Sequence, residues 1–240
     1  MSGTFPDTLV SFNNARGSYV PPNLFAGEAD IITDRAEARP GMHMAKHTVI
    51  AQDADGLLVA YDPQTRATGA LTFSGTGTAN DTITIAGRVF TLVAASASDV
   101  QITIGATAAE TAANTAAVLN RAVNVAATGV YATVAGAVVT LIALVGGTAG
   151  NSITTTESGT GASFGGATLS GGATTRTTTY GKAIGITLEP IAATTVPVDC
   201  PYYSGGIFNH EALVWPAAES TLAARRAAFA GTNINVASLL

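Results

Sequence analysis

LVWPAAESTLAARRAAFAGT, residues 213–232, holds a start, a face and a stop for one short helix. Ser220 offers the side-chain oxygen that an N-cap needs to accept from a first-turn N–H. Leu222, Arg226 and Phe229 then share a helical face, and Gly231 ends the run. Strands are predicted on both sides: Ala183–Leu188, Val196–Tyr203 and Gly206–Phe208 before it, Ile234–Leu239 after it. Phe208, Trp215, Pro216 and Phe229 are the residues expected to pack a core or a contact between subunits. An aromatic binding platform built on Tyr202-Tyr203 and Trp215 is the weaker reading.

Working back towards the N-terminus, His47–Ile50 and Leu57–Tyr61 read as two strands around the turn Asp53-Ala54-Asp55-Gly56. Residues 1–45 carry Pro6, Pro21, Pro22 and Pro40 and show little periodicity, so they read as an extended arm. Between the flanks the composition changes. Residues 67–172 contain only Asp81, Arg88, Asp99, Glu110, Arg121 and Glu157 as charges, and Thr/Gly-rich stretches bound them. That pattern predicts an inserted domain at 67–175, with its ends in exposed loops where insertion costs little. On this reading the insert folds by itself and is removable.

Inside the insert, Leu71–Phe73, Thr82–Ile85 and Val89–Val93 alternate as strands. Thr107–Val123 changes to a helical period on Ala109, Ala112, Ala113, Ala116, Leu119 and Val123, with Thr107 and Glu110 set as a capping box. Residues 122–145 carry no charge but contain Gly129 and Gly136 and no flanking basic cluster. They divide at Ala135-Gly136 into a hairpin over 130–143 rather than crossing a membrane. The fold expected is mainly β with short helices: a discontinuous β-rich base, 46–66 plus 176–240, carrying a small α+β insert.

Composition excludes several functions. Only 11% of the 240 residues are charged and 47% are hydrophobic, which argues against a disordered chain. A net charge of −5 argues against a nucleic-acid partner, which calls for a basic face. The single cysteine, Cys200, rules out an internal disulfide framework and lacks the setting of a reactive thiol. Gly75-Thr76-Gly77 and Gly159-Thr160-Gly161 read as turns, since neither completes a phosphate loop. His43 and His47 stand four apart but lack an HExxH pattern. His210-Glu211 has no recognisable nucleophile beside it. No catalytic residue, metal site or cofactor is expected, and the chain is expected not to be an enzyme.

Taken together, Leu57–Asp62, Ala183–Ile186, Tyr203–Phe208, Leu213–Pro216 and Arg226–Thr232 resemble the lambda-type head decoration proteins of tailed bacteriophages. Trp-Pro, a capping Ser, Arg226 and the ending Phe-Ala-Gly-Thr stand at that family's spacing. The insert in turn resembles a small β-rich domain of phage virion proteins, on Thr82–Val93, Ala106–Asn120 and Gly147–Thr154. The resemblance implies a homotrimer that binds the major capsid protein on the outer surface of the virion and cements the expanded shell. It would pass through the host cytoplasm during assembly. On that reading the arm adds a strand to a capsid-protein sheet, with Leu24, Phe25, Ile31 and Ile32 as anchors. Two alternatives remain at this point: a receptor- or carbohydrate-binding module in the insert that takes a host-surface ligand, and a tail structural protein.

Overall fold

The computed structural model describes residues 24–95, 98–176, 182–192, 194 and 196–239. The N-terminal flank supplies β1 (Ile32–Ala38), β2 (Val49–Gln52) and β3 (Leu58–Ala60). β2 and β3 pair antiparallel around the expected turn. There the Asp53 carboxylate accepts from the N–H groups of Asp55 and Leu57 at 3.0 Å each, a turn that aspartate makes readily.

The chain then passes through β4 (Gln64–Thr65) into β5 (Thr68–Phe73), β6 (Thr82–Ile85), β7 (Arg88–Val93) and β8 (Gln101–Thr103). Two helices follow, α1 (Ala108–Leu119) and α2 (Ala122–Thr128), then β9 (Val130–Ala135), β10 (Val138–Ala143), β11 (Thr155–Glu157) and β12 (Ala162–Phe164). Two four-stranded sheets result, ordered β12-β5-β10-β9 and β11-β6-β7-β8. Leu71, Phe73, Ile83, Phe90, Val139 and Leu141 share one core with the buried face of α1. The chain leaves along β13 (Ala173–Arg176), which pairs with β4 through Ala173 and Thr65. The two ends of this segment therefore lie side by side.

Helix α1 begins as its sequence predicts: the Thr107 hydroxyl accepts from the Glu110 N–H at 3.2 Å. The Glu110 carboxylate accepts from Ala106 at 2.7 Å, one residue before the partner of an ideal capping box. Its inner face is rotated from the predicted one. Thr111 and Thr115 are buried beside Ala112 and Ala116, while Ala109 and Ala113 are exposed. Burial of those hydroxyls is tolerated because Thr115 donates to the Thr111 carbonyl at 2.8 Å and Thr111 to the Thr76 carbonyl at 3.0 Å.

The predicted single helix also breaks at Asn120. This side chain donates to the Ala132 carbonyl and accepts from the Ala132 N–H, both at 2.8 Å. It thus occupies the outer edge of β9 as a neighbouring strand would. Asn120→Ala is expected to lower the unfolding free energy by about 1–3 kcal/mol, read from urea melts. Asn120→Asp should do likewise, because a carboxylate cannot donate to the Ala132 carbonyl. Residues 122–145 resolve into α2 and the β9–β10 hairpin, and among the described residues no helix is long and apolar enough to cross a membrane.

The C-terminal flank adds β14 (Gly185–Thr187), β15 (Val198–Asn209), α3 (Leu222–Ala228) and β16 (Asn233–Ala237). The order is β1-β3-β2-β14-β15-β16, and β15 also pairs with β1, so five strands close a small barrel that β16 extends. Ile50, Leu58, Val59, Ile186, Phe208 and Val236 lie in its core. Strand β15 is continuous over 12 residues where the sequence suggests two pieces. Its first half pairs antiparallel with β1 and β14, its second half parallel with β16. The change of partners falls at Gly205-Gly206, and Gly206 takes a φ of +137° that glycine adopts freely. The cap of α3 is Thr221, whose hydroxyl accepts from Ala224 at 3.2 Å, rather than Ser220.

The segment 67–175 does not hang from its stem alone. Along β9, Val130 and Ala132 enter its own core while Tyr131 turns the other way into the barrel core, followed by Ile142 of β10. The Arg39 guanidinium lies 4.7 Å from the centre of the Tyr131 ring and pairs with Asp53 and Asp55. The Arg39 and Asp53 side chains are only 4% and 1% exposed, a depth at which a charge requires a partner. Burial pushes the guanidinium down, but Asp53, Asp55 and Tyr131 outweigh it and hold it above its ordinary value. Gly41, at φ +77°, permits a close approach: a Cβ there would run into the Val125 side chain of α2. From the stem side, Arg66 donates to the Leu144 carbonyl at 2.6 Å, and Asp62 accepts from the Gly146 N–H at 2.9 Å.

Candidate functional site

The described chain begins against the far end of β15. Asn209 donates its N–H to the Leu24 carbonyl at 2.8 Å, and Phe25 bridges to Phe208. The Phe25 ring stands edge-on to Tyr203 at 5.9 Å and tilted on Phe208 at 5.5 Å. Leu24 is half-buried on the barrel core. Phe25, Ile31 and Ile32 remain 41%, 42% and 47% exposed, enough to leave an apolar patch beside the ring cluster.

Strand β1 starts at this patch and runs along β15 from Ile32↔Gly205 to Ala38↔Val198. Residues 32–38 of the expected arm are therefore a barrel strand of this same chain. Met42 and Met44 follow into the core. Residues 1–23, with Phe5, Leu9, Val10 and Phe12, lie outside the described residues. On its other side β1 meets β3 only at Ala38↔Leu58, so among the described residues 32–37 present one open edge. An open edge flanked by exposed apolar side chains is suited to accept a further strand. Sequence reasoning missed this edge because Ile32–Ala38 is exposed on both faces over most of its length and shows no alternation.

Of the residues expected to pack, Phe208 and Phe229 are buried in the barrel core. Trp215 stands edge-on to Phe229 at 5.7 Å and donates its indole N–H to the His210 carbonyl at 2.9 Å. Trp215 and half-buried Pro216 line a groove of about 290 Å³ together with Leu144 and Val145.

The residues weighed for chemistry are dispersed. Ser74 and Gly75 donate to the Gly161 carbonyl at 3.0 and 3.3 Å, so the two Gly-Thr-Gly segments pack against each other as turns. Cys200 is buried, and burial followed by the Asp199 charge pushes its thiol up to about 11, so the nucleophilic thiolate is not formed. His43 is exposed, and among the described residues no three His, Cys, Asp or Glu side chains are grouped to hold a metal ion. His210 faces Arg225, at 2.7 Å, and Ser238, at 3.2 Å.

Among the described residues the barrel presents an open edge, an aromatic patch and an apolar groove, surfaces suited to contact with another chain. Residues 167–235 match the family of bacteriophage lambda head decoration protein D. This stretch, which holds β13 to β15, the Trp215 corner and α3, is where the chain is similar to the lambda-type head decoration proteins. That family is structural, and the match supports a head-decoration role with the capsid as partner and the capsid surface of the virion as its place. No curated protein matches the chain.

Proposed function

We propose that the protein binds the outer face of a phage capsid as a homotrimer and cements the expanded shell, without enzymatic activity or a cofactor. The observation that carries the reading is the open edge of β1, flanked by Phe25, Ile31 and Ile32 and lying against β15 of the family-matched region. An extended segment of the major capsid protein would add to that edge. Main-chain hydrogen bonds would give affinity and the three side chains would be buried. A net charge of −5 suits the outside of the shell better than the DNA-filled interior. We place the base at 32–66 plus 176–240, because β1, Met42 and Met44 belong to its barrel, and the insert at 67–175. The adjacent ends of that insert at Thr65 and Ala173 support the division.

The test uses shells assembled from the cognate capsid protein. Replacing Phe25, Ile31 and Ile32 together by Ser should leave far-UV circular dichroism unchanged and weaken binding to expanded shells by at least about tenfold. Unchanged decoration by this variant would discard the edge as the attachment site. Native mass spectrometry should show three chains per particle; a species that stays monomeric in solution and on the shell would discard the trimer. A second reading, a host-surface carbohydrate on the insert, draws on a groove of about 280 Å³ lined by Thr68, Thr140, Thr168, Ser170 and the Phe164 ring. Glycan-array binding that disappears with Phe164→Ala would favour it.

A further inference from the structure

Trp215 is the only tryptophan in the chain, and its corner is organised around one imidazole. Arg225 Nη1 lies 2.7 Å from His210 Nδ1. A guanidinium has donors and no acceptor, so Nδ1 accepts with its lone pair and the ring proton sits on Nε2. That N–H donates to Ser238 Oγ at 3.2 Å. Both ring nitrogens are thus satisfied in one neutral tautomer. Arg225 also donates from Nε to the Glu219 carbonyl at 2.9 Å and from Nη1 to the His210 carbonyl at 3.2 Å, and its Cζ lies over the Trp215 ring, 5.4 Å from the ring centre. These partners are carbonyls, a ring and an uncharged imidazole.

We propose that His210 is a proton-operated latch on the Trp215 corner. A proton added at Nδ1 turns an acceptor into a donor aimed at another donor and sets two cations side by side. Arg225 then leaves the Trp215 face and the Glu219 carbonyl, and the groove wall at Trp215 loosens while the barrel stays folded. The other ionisable groups around this corner are engaged elsewhere or solvated. Glu219 accepts from the Tyr61 hydroxyl at 2.9 Å, Arg226 of α3 donates to the Val236 carbonyl at 3.0 Å, and Glu211 is exposed on the following loop. From the β16 side the contact is the neutral Ser238 hydroxyl. The latch lies within one chain and does not depend on the trimer.

Trp215 emission from the full chain, recorded between about pH 8 and about pH 5, reads the latch directly. Wild type should show one reversible, single-proton change at constant far-UV circular dichroism. His210→Gln keeps an acceptor for Arg225 and a donor for Ser238 without titrating, so its emission should hold the neutral wild-type value throughout. A His43→Gln/His47→Gln variant should retain the change. It removes the separate titration of His47, which burial and then Lys46 hold below its ordinary value. If His210→Gln fails to fold, the wild-type Trp215 indole N–H resonance should move with the midpoint of the His210 ring signals. A change that survives in His210→Gln, or an indole resonance that stays still while His210 titrates, overturns the latch.

Discussion

Tyr131→Ala should lower the unfolding free energy by about 3–5 kcal/mol, and the loss should register in the barrel although Tyr131 belongs to segment 67–175. The ring is 1% exposed and lies among barrel residues, with Arg39 stacked on it. Truncation leaves a cavity at the joint and uncovers a buried guanidinium. Tyr131→Phe keeps the ring and should cost far less. Guanidinium unfolding followed by Trp215 emission suits the measurement, because Trp215 sits on the barrel side. A Trp215 transition unchanged by Tyr131→Ala would mean that the joint adds nothing to the barrel.

The second large effect is expected at the charged side of the same joint. Arg39→Met should cost about 3–5 kcal/mol, because it strands the Asp53 carboxylate, 1% exposed, without its cation. Adding Asp53→Asn should recover most of that loss. The amide oxygen still accepts from the Asp55 and Leu57 N–H groups, and no charge is left buried. A double variant no more stable than Arg39→Met would place the cost in lost packing instead. Both results bear on excision: removing 67–175 takes Tyr131 and Ile142 out of the barrel core, so the clean removal suggested by the sequence is expected to fail.

What was legible in the sequence was local. The hairpins over 49–60 and 130–143 follow from alternation around turn residues, and α1 follows from Thr107 and its period. The helical face of α1 was misplaced because buried threonines count as polar until their back-bonded hydroxyls are seen. The cap of α3 moved by one residue because Ser220 and Thr221 carry equivalent hydroxyls. Ser204-Gly205-Gly206 has the composition of a turn, and only the partners on both sides make it part of a strand. The open edge of β1 and the Arg39–Tyr131 contact had no local signal. Both depend on segments far apart in the chain. Leu24, Phe25, Ile31 and Ile32 stood out as apolar residues in a Pro-punctuated stretch, but their placement against β15 came from the fold.

Closure of the barrel by β15 also sets a timetable. Its neighbourhood is tied together by contacts of long span: Thr48 to Thr187 across 139 residues, Tyr61 to Glu219 across 158, and Asp34 to Tyr202 across 168. Such contacts slow folding, because distant segments must meet before any of them is rewarded. The second hydrophobic core, by contrast, is drawn wholly from Ala67 to Leu169. On a ribosome delivering roughly 5–20 residues per second, that core has its full complement of residues seconds before β15 emerges. Through that interval the newborn chain carries Tyr131 and Ile142 on a face whose barrel cover stays incomplete until the last third is made.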